Sequence, residues 1–158
     1  MCGIVAYVGP RDAQPILLDA LSRLEYRGYD SAGLAILNGK GLEVRKKSGR
    51  IQELASACQK KPVRGQLGIS HTRWATHGGA TDINAHPHLD ASGHLALVHN
   101  GVIENYIELK AKLSAAGHKF LSETDTEILA HLVGEAFAAG KIHCSILAES
   151  AIEAAIAD

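Results

Sequence analysis

Met1-Cys2-Gly3-Ile4-Val5-Ala6-Tyr7-Val8-Gly9-Pro10 opens the chain, and the fold class turns on how it is understood. Residues 2–8 form a short, mostly apolar run closed by Gly9-Pro10, the pattern of a strand that ends in a turn. The residue after Met1 is small enough for an aminopeptidase to remove the initiator. Cys2 would then begin the strand and carry both a thiol and a free α-amine. The amine has a reference pKa of about 7.7–8.0 and the thiol about 8.5, so a neutral amine can take the thiol proton directly or through one water. With Met1 attached, that nitrogen is a peptide nitrogen and cannot serve as a base. Cys2 alone fits equally well a plain residue at the start of a buried strand.

Working outward, Asp12 is placed to cap a helix in which Ile16, Leu17, Ala20, Leu21 and Leu24 recur at helical spacing. Residues 31–37 and 42–48 read as two strands joined by Asn38-Gly39-Lys40-Gly41, a hairpin signal. Ile51, Leu54, Ala55 and Cys58 share one face of a second helix, which makes Cys58 a core residue. Residues 67–74 read as a strand, 75–94 as a long polar loop and 95–99 as a buried strand. Loops of that length in compact domains are usually functional or disordered. A helix is expected over 104–116, closed by Gly117. Thr124 and Glu127 make a capping-box pattern ahead of Ile128, Leu129, Leu132, Val133, Ala136 and Phe137, and Gly140 ends that helix. Apolar spacing predicts a last helix over 145–157. Strands and helices mix without strict alternation, so the fold class is α+β rather than a doubly wound parallel sheet. With no repeat and no linker, the 158 residues read as one domain.

Several residues along this path carry chemistry. In Asn100-Gly101, a side-chain amide and a backbone N–H at a strand end can converge on a developing oxyanion, although Asn-Gly is also the commonest turn dipeptide. Arg73, in Arg73-Trp74-Ala75-Thr76-His77, closes a strand at the mouth of the long loop, where a guanidinium can hold a carboxylate bidentately. Asp125 can receive an ammonium group, or simply place favourable charge in a helix first turn. An Arg and an Asp facing one pocket would suit an α-amino acid zwitterion. The nine histidines raise the question of a metal. His86-Pro87-His88 with Asp90 is the best cluster, because HxH spacing can put two imidazoles on one side of an extended segment; no third ligand of matched spacing follows. His118 and His131 are expected at element surfaces. There is no GxGxxG, Walker loop or HExxH.

Composition excludes several classes. A net charge of −1 gives no electrostatic reason to expect nucleic acid or an anionic membrane as partner. The densest basic stretch, Arg45, Lys46, Lys47 and Arg50, reads as a solvated strand face and loop. No apolar run approaches the roughly 20 residues that span a bilayer, and no secretory signal pattern opens the chain. Cys2, Cys58 and Cys144 are widely spaced, odd in number and form no CxxC pair, so neither a disulfide framework nor a thiolate metal site is expected. A reducing compartment fits, and the cytoplasm is the expected location.

Taken as a set, these residues bear a family likeness. The opening Cys2-Gly3-Ile4-Val5 resembles that of class II glutamine amidotransferases of the N-terminal nucleophile hydrolase fold. Leu24-Glu25-Tyr26-Arg27-Gly28-Tyr29-Asp30-Ser31-Ala32-Gly33 is narrower, and is similar to the branch of that family that aminates and isomerises a sugar phosphate. His71-Thr72-Arg73-Trp74-Ala75-Thr76-His77-Gly78 points the same way, as do Asn84-Ala85-His86-Pro87-His88, Val98-His99-Asn100-Gly101 and Ser122-Glu123-Thr124-Asp125-Thr126-Glu127. The resemblance implies an αββα sandwich, L-glutamine as substrate and no cofactor. It implies that Cys2 is the nucleophile with its α-amine as base, and that the Asn100 side chain and Gly101 N–H form the oxyanion hole. Arg73, helped by Thr76 and His77, would hold the glutamine carboxylate; Asp125 would bind the ammonium; Arg27 and Trp74 would organise the site. His86 and His88 would belong to a structural or mobile loop, not to a metal site. In the whole enzyme of that branch, ammonia from a glutamyl thioester step passes to a sugar isomerase domain or subunit, which turns fructose 6-phosphate into glucosamine 6-phosphate.

The family's glutaminase domain continues beyond the length of this chain, with strands that complete the sandwich and then the isomerase half. Residues 1–158 are therefore expected to be a C-terminally truncated glutaminase domain without a sugar isomerase domain, marginally stable or self-associating as an oligomer. Two readings compete with a working glutaminase: a non-catalytic glutamine-binding fragment, and a small histidine-rich metal protein.

Overall fold

In β2 (Ser31–Asn38), alternate residues point to opposite sides, and Ala32, Leu34 and Ile36 are fully buried on one of them. They lie under α1 (Ala13–Ser22) and α2 (Ile51–Lys60), whose apolar stripes supply Ala13, Leu17, Leu21, Ile51, Leu54 and Cys58 to the same core. Burying each of the leucines and isoleucines among them contributes about 1.5–3 kcal/mol. These statements come from a computed structural model that describes residues 2–140; the helix expected over 145–157, and Cys144, lie outside the described residues.

The first sheet has the order β1-β4-β2-β3 and is antiparallel throughout, with β1 Gly3–Val8, β3 Gly41–Ser48 and β4 Leu67–Arg73. The expected hairpin is there: Leu37 pairs with Leu42 and Asn38 with Gly41. Register then fixes the faces. Leu34 pairs with Ser70 and Ala32 with Thr72, so Ser70 and Thr72 look toward the helices. His71 and Arg73, one residue off, look away from them. Gly3 pairs with Thr72, so one further step sets Cys2 beside Arg73 on that outward face.

Against the outward face lies a second layer. Residues 84–88 cross it at Gly33, where a Cβ would stand 2.1 Å from the His86 carbonyl oxygen; only glycine lets the segment lie this close. The layer continues as β5 (His88–Leu89) paired with β6 (Ala96–Leu97), and is covered by α3 (Tyr106–Ala115) and α4 (Asp125–Ala138). Leu129 and Val133 of α4 pack on Leu95, Leu97 and Ile103. The order of layers is helix, sheet, sheet, helix, as expected of the αββα class. Among the described residues the second sheet has two strands of two residues each, and Leu37 and Leu67 at the far end of the first sheet stay half exposed. Among those residues, no helix is long and apolar enough to cross a membrane.

Four local expectations need correction. The strand expected over 95–99 shrinks to Ala96–Leu97, because the chain leaves the ladder there and residues 99–102 line a cleft. The capping box does not close. Thr124 is the N-cap residue of α4, but its hydroxyl bonds His88 Nε2 at 3.0 Å instead of a helix N–H. Glu127 reaches back further, accepting from the Leu121 N–H at 2.8 Å and from the Ser122 N–H and hydroxyl, each at 2.6 Å. His131 is buried, not superficial, because the first two turns of α4 are enclosed on every side; its ring meets Phe120 edge-on at 5.1 Å. The basic stretch is not a solvated face. The Lys46 ammonium donates to the Ile83 carbonyl at 2.8 Å, and Lys47 pairs with Asp82 at 2.5 Å, so both pin the long loop to β3.

Candidate active site

The site is assembled from strand ends and the start of α4. Arg73 leaves β4 on the outward face, and the chain behind it is locked by Asp30. The Asp30 N–H donates to the Arg73 carbonyl at 2.8 Å, and its carboxylate accepts the Ala75 N–H at 2.5 Å. The Trp74 N–H in between points at Cys2, donating to Sγ at 3.2 Å. The Cys2 backbone is held from both sides: the Gly3 N–H donates to Thr72 Oγ1 at 2.9 Å, and Arg27 Nη1 donates to the Cys2 carbonyl at 3.3 Å. The sulfur itself is only partly covered.

Facing the sulfur is a cleft of about 360 Å³. Cys2, Arg27, Arg73, Trp74, Thr76, Asn100, Gly101 and Asp125 all line it. Eight of the nine residues singled out from sequence are thus brought together across 123 positions of chain, from Cys2 to Asp125. The ninth, His77, is not on the wall. Its ring packs edge-on against Tyr106 at 5.0 Å, and it reaches the site through its carbonyl, which accepts from Arg73 Nη2. The Arg73 guanidinium also donates to the Gly79 carbonyl at 3.1 Å and the Gly78 carbonyl at 3.3 Å, so the loop after β4 wraps its own cation. Asp125, at the start of α4, accepts the Ile103 N–H at 2.9 Å. One carboxylate and two guanidinium groups, Arg27 and Arg73, therefore share the cleft with a thiol, an amide and a glycine.

Six further residues line the cleft that sequence reasoning did not place in the glutamine site: His71, His86, His99, Val102, Thr124 and Thr126. His71 had a usable signal, since it stands two residues before Arg73 in one strand and so shares its face. His86 had none, because its segment reaches the sheet only through tertiary packing at Gly33. The rings of His71 and His86 lie 4.3 Å apart, and those of His86 and His88 4.8 Å apart. Burial, with His71 and Arg73 nearby, keeps the imidazole of His86 neutral. Burial likewise pushes the pKa of His71 down to about 4 and that of His88 to about 3. Neutral imidazoles ligate metals, yet His71 Nε2 is taken by Asn100 and His88 Nε2 by Thr124. Among the described residues, no group of three or more His, Cys, Asp or Glu side chains is arranged to hold a metal ion.

A thiol at the first strand of an αββα sandwich, sharing a cleft with an amide and a glycine at a strand end, is the arrangement of the N-terminal nucleophile hydrolase class. Solved structures that share this fold include two that align over nearly the whole chain. The allosteric regulatory enzyme of purine biosynthesis superposes with a TM-score of 0.75 at 30% identity, over 99% of this chain and 33% of that one. Glutamine phosphoribosylpyrophosphate amidotransferase from B. subtilis, complexed with ADP and GMP, gives 0.72 at 29% identity, over 99% and 32%. The chain belongs to the glutamine amidotransferase domain family, whose pattern it matches over residues 43–141. Among curated relatives, glutamine–fructose-6-phosphate aminotransferase (isomerizing) of Thermus thermophilus is 61% identical over 137 residues, 87% of this chain. Those of Aquifex aeolicus and Streptomyces coelicolor are 59% and 52% identical, over 85% and 95% of the chain. The chain spans 23–24% of the length of these relatives.

Proposed function

We propose that this chain is the glutaminase module of a glutamine–fructose-6-phosphate aminotransferase, releasing ammonia from the side-chain amide of L-glutamine. The observation that carries this is the position of Cys2 Sγ, held by the Trp74 N–H in the cleft that also contains Asn100, Gly101, Arg73 and Asp125. Once Met1 is removed, the α-amine of Cys2 takes the thiol proton and the sulfur attacks the amide carbon. A C–S bond forms, and the carbonyl oxygen becomes an oxyanion that accepts from Asn100 Nδ2 and the Gly101 N–H. The C–N bond then breaks, and the protonated α-amine gives its proton to the departing ammonia. Water hydrolyses the glutamyl thioester to glutamate and regenerates the thiol. No cofactor enters any step.

Arg73, with Thr76 and the His77 loop, holds the α-carboxylate of glutamine, and Asp125 holds its α-ammonium. Arg27 and Trp74 keep Cys2 in place through the Cys2 carbonyl and sulfur. Residues 1–158 act as one domain, and the ammonia acceptor is fructose 6-phosphate on a sugar isomerase domain or subunit. A reduced thiol nucleophile suits the cytoplasm.

The test is glutamate release from glutamine, with Met1 removal verified by intact mass and Cys2→Ala as control. Turnover in the parent that vanishes in Cys2→Ala supports the reading. A folded, processed chain that binds glutamine without releasing glutamate would leave a binding module in its place.

A further inference from the structure

The histidines of the cleft have no part in the reaction just described, and one of them touches its oxyanion donor. His71, itself fully buried, places Nε2 2.7 Å from Asn100 Oδ1 at the cleft wall. An amide oxygen only accepts, so the imidazole must carry its proton on Nε2. The amide has two branches, and with the oxygen tied to His71 the NH₂ branch is left to the cleft. Were the ring an Nδ1–H tautomer, Nε2 would draw the NH₂ branch to itself and turn the oxygen toward the substrate. An oxygen there repels an oxyanion.

We infer that His71 is a positioning residue: through Nε2–H it fixes the orientation of the Asn100 amide so that Nδ2 serves as oxyanion donor. This rests on the glutaminase reading and goes beyond it. The neighbouring rings keep His71 in place. His86 packs on it at 4.3 Å, with its own carbonyl seated over Gly33. His88 packs on His86 and bonds Thr124 Oγ1, immediately before Asp125. A single stack thus joins the oxyanion donor to the start of α4, where the ammonium is held. The groups facing His71 are Arg73 on its own strand, His86 from the crossing segment, and His99 and Asn100 from the strand end. The HxH motif, which suggested a metal from sequence, is here part of that stack.

The experiment is a double-mutant cycle on glutamate release by the processed chain, using His71→Phe, Asn100→Ala and the pair. Because the oxyanion exists only in the transition state, His71→Phe is expected to lower kcat by about 10²-fold and leave KM for glutamine within about threefold. In the Asn100→Ala background the same change should cost nothing more, since the donor it orients is gone. His71→Gln, which offers an amide N–H near the same point, should recover much of the loss. A full and independent loss in the Asn100→Ala background would overturn the inference. Nitrogen-15 spectra of the imidazoles give a second readout that needs no turnover and no variant to fold. The His71 ring should be the neutral Nε2–H tautomer at pH 7, and an Nδ1–H tautomer in an active chain overturns this inference alone. A processed parent chain that releases no glutamate overturns the glutaminase reading and this inference with it.

Discussion

At the scale of single residues, the proposed reaction assigns some groups to holding the substrate and others to the chemistry. Asp125 is assigned to the first kind. Its carboxylate accepts the partly buried Ile103 N–H and lines the cleft. Asp125→Asn keeps an oxygen for Ile103 but removes the charge that would meet an ammonium. A hydrogen bond to a charged group is worth about 1.5–3 kcal/mol, so KM for glutamine should rise roughly 10- to 100-fold with kcat little changed. Steady-state kinetics check this, and an equal fall in kcat with unchanged KM would move Asp125 out of the binding role. Asn100→Ala should do the reverse, lowering kcat by about 10²–10³ while KM stays near its parent value. Cys2 itself was legible because the sequence Met1-Cys2-Gly3 puts a thiol beside a potential free amine. His71 was legible only through its place two residues before Arg73, and the place of His86 in the cleft was not legible, since a histidine inside a loop announces no partner.

At the scale of elements, what the sequence made legible was local and what it hid was tertiary. The hairpin of β2 and β3, the helices α1, α2 and α4, and the core place of Cys58 follow from periodicity and turn chemistry within about ten residues. The pairing of β1 with β4 joins residues some sixty positions apart, and only that pairing sets Cys2 beside Arg73. The packing of residues 84–88 on the first sheet depends on one missing side chain at Gly33. Gly33→Ala drives a methyl into the His86 carbonyl and should destabilise the protein by about 1–3 kcal/mol. It should also lower turnover, by shifting the ring stack under Asn100. The midpoint of urea unfolding, with glutamate release alongside, checks both effects; an unchanged midpoint would mean the crossing segment is not seated on the sheet. Capping was misread for a similar reason. Thr124 and Glu127 have the right spacing for a box, but His88 and the Ser122 backbone, which no local pattern reveals, compete for them and win.

At the scale of the whole molecule, the buried imidazoles tie stability to pH. His71 and His88 are neutral when folded, with pKa values pushed down to about 4 and about 3, against 6.5 for a free ring. Between those values the unfolded chain binds protons that the folded chain refuses. Their contribution is therefore fully present above pH 6.5 and is lost as pH falls toward 4. Thermal unfolding should shift steadily downward over that window, before the carboxylates Asp82 and Asp90 begin to titrate, since their own pKa values lie below the usual carboxylate range. His71→Gln should flatten part of the slope, and a melting temperature that stays constant from pH 7 to pH 4.5 would contradict the burial of these rings. The central claim concerns the thiol at the start of β1, and it is tested most directly by labelling the Met1-processed chain with a glutamine-mimicking electrophile and locating the adduct by peptide mass. The predicted result is one adduct, on Cys2, formed more slowly when glutamine is present. A label that avoids Cys2, or that reacts at the same rate with and without glutamine, would contradict it.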